Sequence, residues 1–442
     1  MSEEQPELSD FAEGIEEKEE STDAPDEAGE QEWDWTPLSE LIEPVLGKTP
    51  KRSEDEYWGG NIKWASAKDV SQSSIRHVYD TEDKMTEAGK EESNAKILPE
   101  GTVVVVARGA TMGRLAQLGE PMTFNQTCYG LDTTDELLDD FLYYAWQYVF
   151  GQVQAVSYGT VFDTITMKSF KDIEIPHPPI ETQKRIAETL TAFDDKIETN
   201  NRINELLEET AQILYRSWFI DFDPYDEFKD SELGEIPVEF EVTEFSNLCE
   251  TYSGGPRQNT DDYIGNKYKW LTAKDISSNS ISTIYNTERK LNEKAMEDNV
   301  MTLMEPNSVL LTSRATIGEV IINKEPMATN QGYICIEPAK EIPSHYLLHL
   351  VNSKKDVIKN RATGSTYPEI SQSGFESIPI PLAPKEDRIR YEETVAPIYD
   401  CMYHNLKENN TLSELRDTLL PKLMSGEIRL DPDSNNEPMN NN

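Results

Sequence analysis

"KWASAKDVSQSSI" (residues 63–75) and "KWLTAKDISSNSI" (residues 269–281) agree at eight of thirteen positions, and most of the other differences are conservative. The flanks agree as well. Upstream, at an offset of 206, Pro50 matches Pro256, Lys51 matches Arg257, Tyr57 matches Tyr263 and Gly59 matches Gly265. Downstream one residue is lost and the offset becomes 205. "ATMG" (110–113) then pairs with "ATIG" (315–318), "EPM" at Glu120 with "EPM" at Glu325, Asn125-Gln126 with Asn330-Gln331, and "FKDIEIPHPP" with "FESIPIPLAP". A period near 205 is far too long for a solenoid, so the pattern is a tandem duplication of a whole domain.

Inside each copy, β-branched runs such as "GTVVVVARG" and "NSVLLTSRA" read as strands, and amphipathic stretches such as "DDFLYYAWQYVF" and "PSHYLLHLV" read as helices. The fold class expected is α/β (α+β): two tandem homologous domains of roughly 150 residues, an ordinary domain size, each followed by a long helix. The chain divides into an acidic tail (1–32), a first domain (33–180), a central helix (181–222), a linker and second domain (223–385), a distal helix (386–430) and a short tail (431–442).

The two helices carry a heptad seam. Ile186, Leu190, Phe193, Ile197, Asn200, Asn204, Leu207, Ala211 and Leu214 alternate in steps of four and three. Adding 205 gives Tyr391, Val395, Ile398, Met402, Asn405, Asn409, Leu412, Arg416 and Leu419. Each seam has two Asn near its middle, and buried seam Asn costs stability but fixes register. In an antiparallel pair Asn200 would meet Asn409, and Asn204 would meet Asn405. Pro179 and Pro384 precede the helices, and Pro224 and Pro421 are expected to close them. Roughly 35 residues make a rod of about 50 Å, longer than a DNA turn of about 34 Å.

The formal charge is −42, from 83 Asp and Glu against 41 Lys and Arg. The first thirty residues hold 13 acids against Lys18 alone, a net −12 whose composition predicts disorder, and this leaves −30 on the rest. Such a surface ordinarily argues against DNA, because phosphate binding depends on cations. In molar salt, where the Debye length is about 3 Å, the objection weakens, and a halophilic source is expected. Four isolated cysteines, Cys128, Cys249, Cys335 and Cys401, suggest neither a zinc ribbon nor a disulfide framework and fit a reducing cytoplasm. No apolar run is long enough for a membrane span.

No catalytic set emerges. "GKT" at Gly47 lacks the leading Gly of a phosphate loop, since position 42 is Ile. His345 and His349 have helical spacing without the Glu of a zinc protease motif and read as helix-surface side chains. "DFDPY" at Asp221 and the Glu82-Asp83-Lys84 triplet are fragments of methyltransferase and nuclease motifs without the remaining parts.

The succession of domain, helix, domain, helix resembles the specificity subunit of type I restriction-modification systems. The resemblance covers about residues 33–430 and rests on "KWASAKDV" and "KWLTAKDI", "ATMG" and "ATIG", "FKDIEIPHPP" and "FESIPIPLAP", "SWFIDFDP" (217–224), "LGEIP" (233–237) and "LLPKLMSGEIRL" (419–430). The acidic tail is extra, and "VEFEV" stands where a Trp usually follows. The resemblance implies that each globule is a target recognition domain reading half of a split sequence in double-stranded DNA, with the helices setting the spacing. It also implies two adenine methyltransferase subunits and translocase-nuclease subunits as partners. No cofactor would then bind this chain, S-adenosylmethionine, ATP and Mg belonging to those partners, and the chain would be a non-catalytic subunit.

Base reading needs Arg, Lys, Asn, Gln or Ser on exposed elements, while phosphates accept any cation. Candidates are Lys48, Lys51 and Arg52 in "GKTPKR", Arg257, Gln258 and Asn259 in "GGPRQN", Lys68 and Lys274 in the duplicated phrase, Arg108 and Arg314 beside the "ATxG" turns and one position out of register, and Arg361 with Ser365 before a variable loop. Trp64 and Trp270 read as core. The shared phrase would serve a common scaffold and a common phosphate grip. Base choice would lie where the copies differ, around Phe124–Gly130 against Ala328–Tyr333 and in "YGTVFDT" against "TGSTYPE", so two different half-sites are expected. A protein scaffold that does not bind DNA is the alternative.

Overall fold

In this computed structural model, residues 33–72, 76–156, 164–255, 260–277, 279–364 and 368–430 are described. The tails expected at 1–32 and 431–442 lie outside them.

Each copy of the repeat is organised on a five-stranded sheet. In the first copy the strand order is Ile42–Leu46, Cys128–Thr133, Val103–Val106, Leu115–Leu118, His77–Val78. In the second it is Cys249–Ser253, Tyr333–Pro338, Val309–Thr312, Val320–Asn323, Thr283–Ile284. The order is the same, and in both copies only the last pair is parallel.

The strand "VVVV" is apolar throughout because both of its faces are covered. Val103 and Val105 point into a core shared with helix Asp139–Val156, while Val104 and Val106 point to Val70, Leu98 and Phe124. Val309 and Leu311 against Leu310 repeat the division in the second copy. A smaller sheet completes each domain, with Trp58–Ala65 between Asp83–Met85 and Thr123–Phe124, and Tyr268–Leu271 between Arg289–Leu291 and Met327–Thr329.

The duplicated Pro-rich segments close each domain on its own start: Glu174–Pro176 pairs antiparallel with Trp35–Pro37, and Pro379–Leu382 with Glu241–Glu244. They lead directly into Pro179 and Pro384. Each proline stands just before a long helix, and its carbonyl accepts an amide of the first turn.

The helices are α1, Ile180–Phe219, and α2, Lys385–Ser425, of 40 and 41 residues. At 1.5 Å per residue each is about 60 Å long. Pro421 does not close α2 but lies within it, as does Pro397. Leu423 and Met424 beyond Pro421 are buried in the first domain's core, and that packing carries the helix on to Gly426, which caps it in the left-handed conformation at φ 81°. Pro224 does follow the end of α1.

The helices run antiparallel, and each end of the pair is embedded in one domain. Ile186, Ala187 and Leu190 from the start of α1, with Leu423 and Met424 from the end of α2, belong to the first domain's core. Ala211, Tyr215 and Phe219 with Tyr391, Val395, Tyr399 and Met402 belong to the second's. Trp33 Nε1 donates to the Leu423 carbonyl at 3.1 Å, tying the far end of the chain to the beginning of the first domain.

Candidate nucleic-acid interface

The middle of the helix pair, between the two domain cores, is polar. Asn200 Nδ2 donates to Asn409 Oδ1 at 2.9 Å and to Glu408 at 2.6 Å, and Asn405 Nδ2 donates to Asn204 Oδ1 at 2.8 Å. Asn409 Nδ2 reaches Asn201 Oδ1 at 2.8 Å. Asn200 and Asn204 are almost fully buried. Of the apolar seam positions, Ile186, Leu190, Val395 and Met402 are buried, whereas Phe193, Ile197, Leu207, Leu214, Ile398, Leu412 and Leu419 are half-buried.

The seam pattern gave no sign of the groups that lock each domain to the pair. Asp194, buried on α1, accepts from the Tyr144 hydroxyl at 2.6 Å and from the Arg416 guanidinium on α2. Arg76 lies between Thr191 Oγ1 at 2.6 Å and the carboxylates of Asp140 and Asp195 at 3.6 and 3.8 Å. In the second domain Glu208 accepts from the Ser282 hydroxyl and amide. Asp194 and Glu208 each stand one residue past a seam position, Phe193 and Leu207, where the heptad pattern assigns no partner.

His345 and His349 are not helix-surface residues. Both are buried against α2, His345 Nδ1 at 2.7 Å from Glu392 and His349 Nε2 at 3.0 Å from the Tyr399 hydroxyl. The helix carrying them is covered by α2, which spacing alone did not reveal. Burial, with the charge of His345 second, pushes the His349 imidazole down to about 3. Among the described residues no group of His, Cys, Asp or Glu is arranged to hold a metal ion, and no helix is long and apolar enough to cross a membrane.

The repeated phrase is largely structural hardware. Trp64 and Trp270 are buried, and their indole N–H groups donate to the carbonyls of Lys48 and Gly255 at 2.8 and 3.1 Å. Asp69 Oδ2 accepts from the Ser66 amide and hydroxyl at 2.8 and 2.7 Å, and Asp275 does the same for Thr272 at 2.8 and 2.7 Å. Ser/Thr-Ala-Lys-Asp is thus a capping box at the start of a short helix. The repeated lysines point outward and are paired, Lys68 with Glu82 at 3.1 Å and Lys274 with Glu288 at 2.6 Å.

The other candidates fall at several places on the domain surfaces. Lys48 is exposed, and Lys51 lies 3.9 Å from Glu92. Arg52 sits over the rings of Trp58 and Trp64, 4.0 and 4.7 Å from their centroids, and is bonded to Asp83 at 2.8 Å. Arg108 and Arg314 are structurally in register, a correction to the sequence alignment: Arg108 bridges to Thr164 and Arg314 to Glu369, so the lost residue is Gly109, which follows the arginine. Arg314 also pairs with Glu369 at 2.8 Å. Arg361 donates to Ser377 Oγ at 2.9 Å. Arg257, Gln258, Asn259 and Ser365 lie outside the described residues.

The motif fragments also have structural uses. Gly47 of "GKT" lets the backbone approach Asn125, whose carbonyl oxygen would lie 2.0 Å from a Cβ. Tyr225 of "DFDPY" donates to Asp387 at 2.8 Å. Glu82, Asp83 and Lys84 are engaged separately by Lys68, Arg52 and Asp80.

Comparison with known proteins adds to this geometry. The model of the type I restriction modification DNA specificity domain matches residues 30–209 and again residues 237–398. The type I restriction enzyme MjaIX specificity subunit of Methanocaldococcus jannaschii is 28% identical over 412 residues, 91% of this chain and 94% of that protein. The HindI specificity subunit of Haemophilus influenzae is 26% identical over 337 residues, 62% of this chain and 73% of its own. Among solved structures, the S subunit of a type I restriction-modification system from M. genitalium superposes with a TM-score of 0.55 at 16% identity, covering 91% of this chain and 98% of that one.

Proposed function

The chain belongs to the type I restriction modification DNA specificity family, and from that premise we propose that its two domains read the two halves of a split DNA target while α1 and α2 fix the distance between them. It is the DNA-recognition subunit of a restriction-modification system and is itself non-catalytic. The observation that carries the reading of a split target is the antiparallel helix pair. It holds two domains of identical strand order at opposite ends of bars about 60 Å long, with the Asn pairs between them to keep the helices in register.

The partners proposed are two adenine methyltransferase subunits, one against each half of the pseudo-twofold body, and translocase-nuclease subunits. S-adenosylmethionine, ATP and Mg would belong to those partners. Lys48, Lys51, Arg52, Lys68, Lys274, Arg108, Arg314 and Arg361 remain the proposed DNA contacts. Arg52, packed between two perpendicular Trp rings and bonded to Asp83, is the one whose position is set by aromatic contacts. The charge of −42 fits DNA binding in concentrated salt inside a halophile's cytoplasm.

Methylome sequencing of the host before and after deletion of the gene tests the proposal. A methylated motif of two unlike half-sites with a fixed spacer should vanish on deletion. An unchanged methylome, with a chain that does not retain duplex DNA in high salt, would favour the scaffold instead.

A further inference from the structure

Two lysines stand directly opposite each other on antiparallel strands in both copies of the repeat. Lys63 faces Lys84, and Lys269 faces Lys290. Like charges at such positions are destabilising, their Cβ atoms being only about 5 Å apart. A chain with 83 acids and 41 bases had every opportunity to place a carboxylate at one of them.

The long helices carry a further cation at equivalent positions. Lys407 on α2 corresponds, at the offset of 205, to Arg202 on α1. In the second copy Lys269 and Lys407 are linked through two rings, with Lys290 facing Lys269 across the strands: Lys269 Nζ lies 5.6 Å from the Tyr285 centroid, Tyr285 packs edge-on to Tyr403 at 5.9 Å, and Lys407 Nζ lies 5.4 Å from the Tyr403 centroid. The Lys269 ammonium is held below its ordinary range, chiefly by burial and further by the charges of Lys290 and Lys407, with Glu325 opposing. Glu325 is itself engaged by the Tyr403 hydroxyl.

The two copies differ in what surrounds the cations. In the first, Lys63 lies 2.9 Å from Glu120 and 3.7 Å from Asp80, Lys84 lies 3.2 Å from Asp80, and Arg202 lies 3.0 Å from Glu205. In the second, Asn286 stands where Asp80 is and Asn410 where Glu205 is. Among the described residues no carboxylate lies within ion-pair distance of Lys269, Lys290 or Lys407.

We propose that Lys269, Lys290 and Lys407 form a phosphate-binding patch for the DNA backbone in the angle between the second domain and α2, and that Lys63, Lys84 and Arg202 are its weaker counterpart beside the first. The proposal rests on the reading of the chain as a DNA-recognition subunit. Retention of these three cations in so acidic a chain, with no described carboxylate in ion-pair contact and the nearby Glu325 engaged by the Tyr403 hydroxyl, is explained by an anion that joins them. In the first copy phosphate must displace Asp80, Glu120 and Glu205, so that grip is weaker.

The test is binding of the full chain to a fluorescent duplex of mixed sequence, long enough to span both domains, across a KCl series. Backbone contacts are independent of sequence, and each one lost lowers the slope of log K against log salt by about 0.9. Combined Lys269→Gln, Lys290→Gln and Lys407→Gln should lower the slope by about 2.7, with an unchanged or higher melting temperature. Asp80→Asn with Glu205→Gln should tighten binding. Lys340→Gln, an exposed control, should change nothing. A triple variant that binds like the Lys340→Gln protein, or that binds poorly because it melts early, overturns the patch alone. A wild-type chain that binds no duplex at any salt concentration in the series overturns the DNA reading and the patch with it.

Discussion

Asn200 Nδ2 donates to Asn409 Oδ1 at 2.9 Å, and the duplication repeats the bond with the roles exchanged, Asn405 to Asn204 at 2.8 Å. Asn405 is the counterpart of Asn200, and Asn409 of Asn204. The contact is self-complementary in the manner of a twofold dimer interface, here within one chain. Asn200→Leu leaves Asn409 Oδ1 without its donor in a half-buried site, a cost of about 1–3 kcal/mol. Asn200→Leu with Asn409→Leu should recover most of that. The measurement is a double-mutant cycle in guanidinium, and single and double variants of equal stability would show that the pair fixes nothing.

The ionic contacts between α1 and α2 should differ in strength by burial. Asp194 and Arg416 are 9% and 23% exposed in their side chains, whereas Lys196 and Glu408, 3.3 Å apart, are 49% and 32% exposed. Removing one member of a buried pair leaves an uncompensated charge and costs on the order of 3–5 kcal/mol. An exposed pair is worth about 0–1 kcal/mol. Arg416→Met should therefore be severe, Arg416→Met with Asp194→Asn much milder, and Lys196→Met nearly silent. Denaturation in low and high KCl checks the ranking. Equal effects at the two sites would contradict it.

Gly47 and Gly254 should be intolerant of alanine for steric reasons, with no ligand involved. A Cβ at Gly47 would lie 2.0 Å from the Asn125 carbonyl oxygen, and one at Gly254 1.9 Å from that of Asn330. Both obstacles are backbone, in turns tied by the Asn125 and Asn330 side chains. Each substitution should destabilise by roughly 1–3 kcal/mol, the range for overpacking. If Gly47 were part of a nucleotide loop, nucleotide would shift the melting temperature of the wild type and the Gly47→Ala protein would lose that shift. Neither effect is expected.

The architecture was legible because duplication makes a sequence its own alignment. Strand runs, closing Pro segments and the Asn seam recur at one spacing, and a shared fold is the economical reason. The locks between domain and helix were not legible, because the two copies solve the same packing problem differently. Asp194 on one helix corresponds to Tyr399 on the other, Tyr144 to His349, and Arg76 to Ser282. A charged network and an aromatic one occupy equivalent positions, so repetition did not flag them. Helix ends were misjudged where tertiary burial outweighed a local breaker, as at Pro421. The lysine patches escaped because facing charges become visible only once Lys63 and Lys84, or Lys269 and Lys290, are known to share a register.

His349 should make the second domain sensitive to acid. Its ring is buried between Tyr215, stacked at 5.4 Å, and Tyr391 and Tyr399, with His345 one turn away as the neighbouring titratable charge. Burial holds its pKa at about 3 in the folded chain, against about 6.5 unfolded. The unfolded state therefore binds the extra proton between those values. The contribution of this site is fully present above pH 6.5 and is lost progressively as pH falls towards 3, at about 1.4 kcal/mol per unit. His349→Gln, which cannot titrate, removes this component while the many carboxylates keep theirs. The stability difference between wild type and variant, measured by guanidinium denaturation, should shift by about 2 kcal/mol in the variant's favour from pH 8 to pH 5. A difference that stays constant over that interval would mean that the imidazole is accessible to protons in the folded protein, and that the covering of this helix by α2 is looser than its geometry implies.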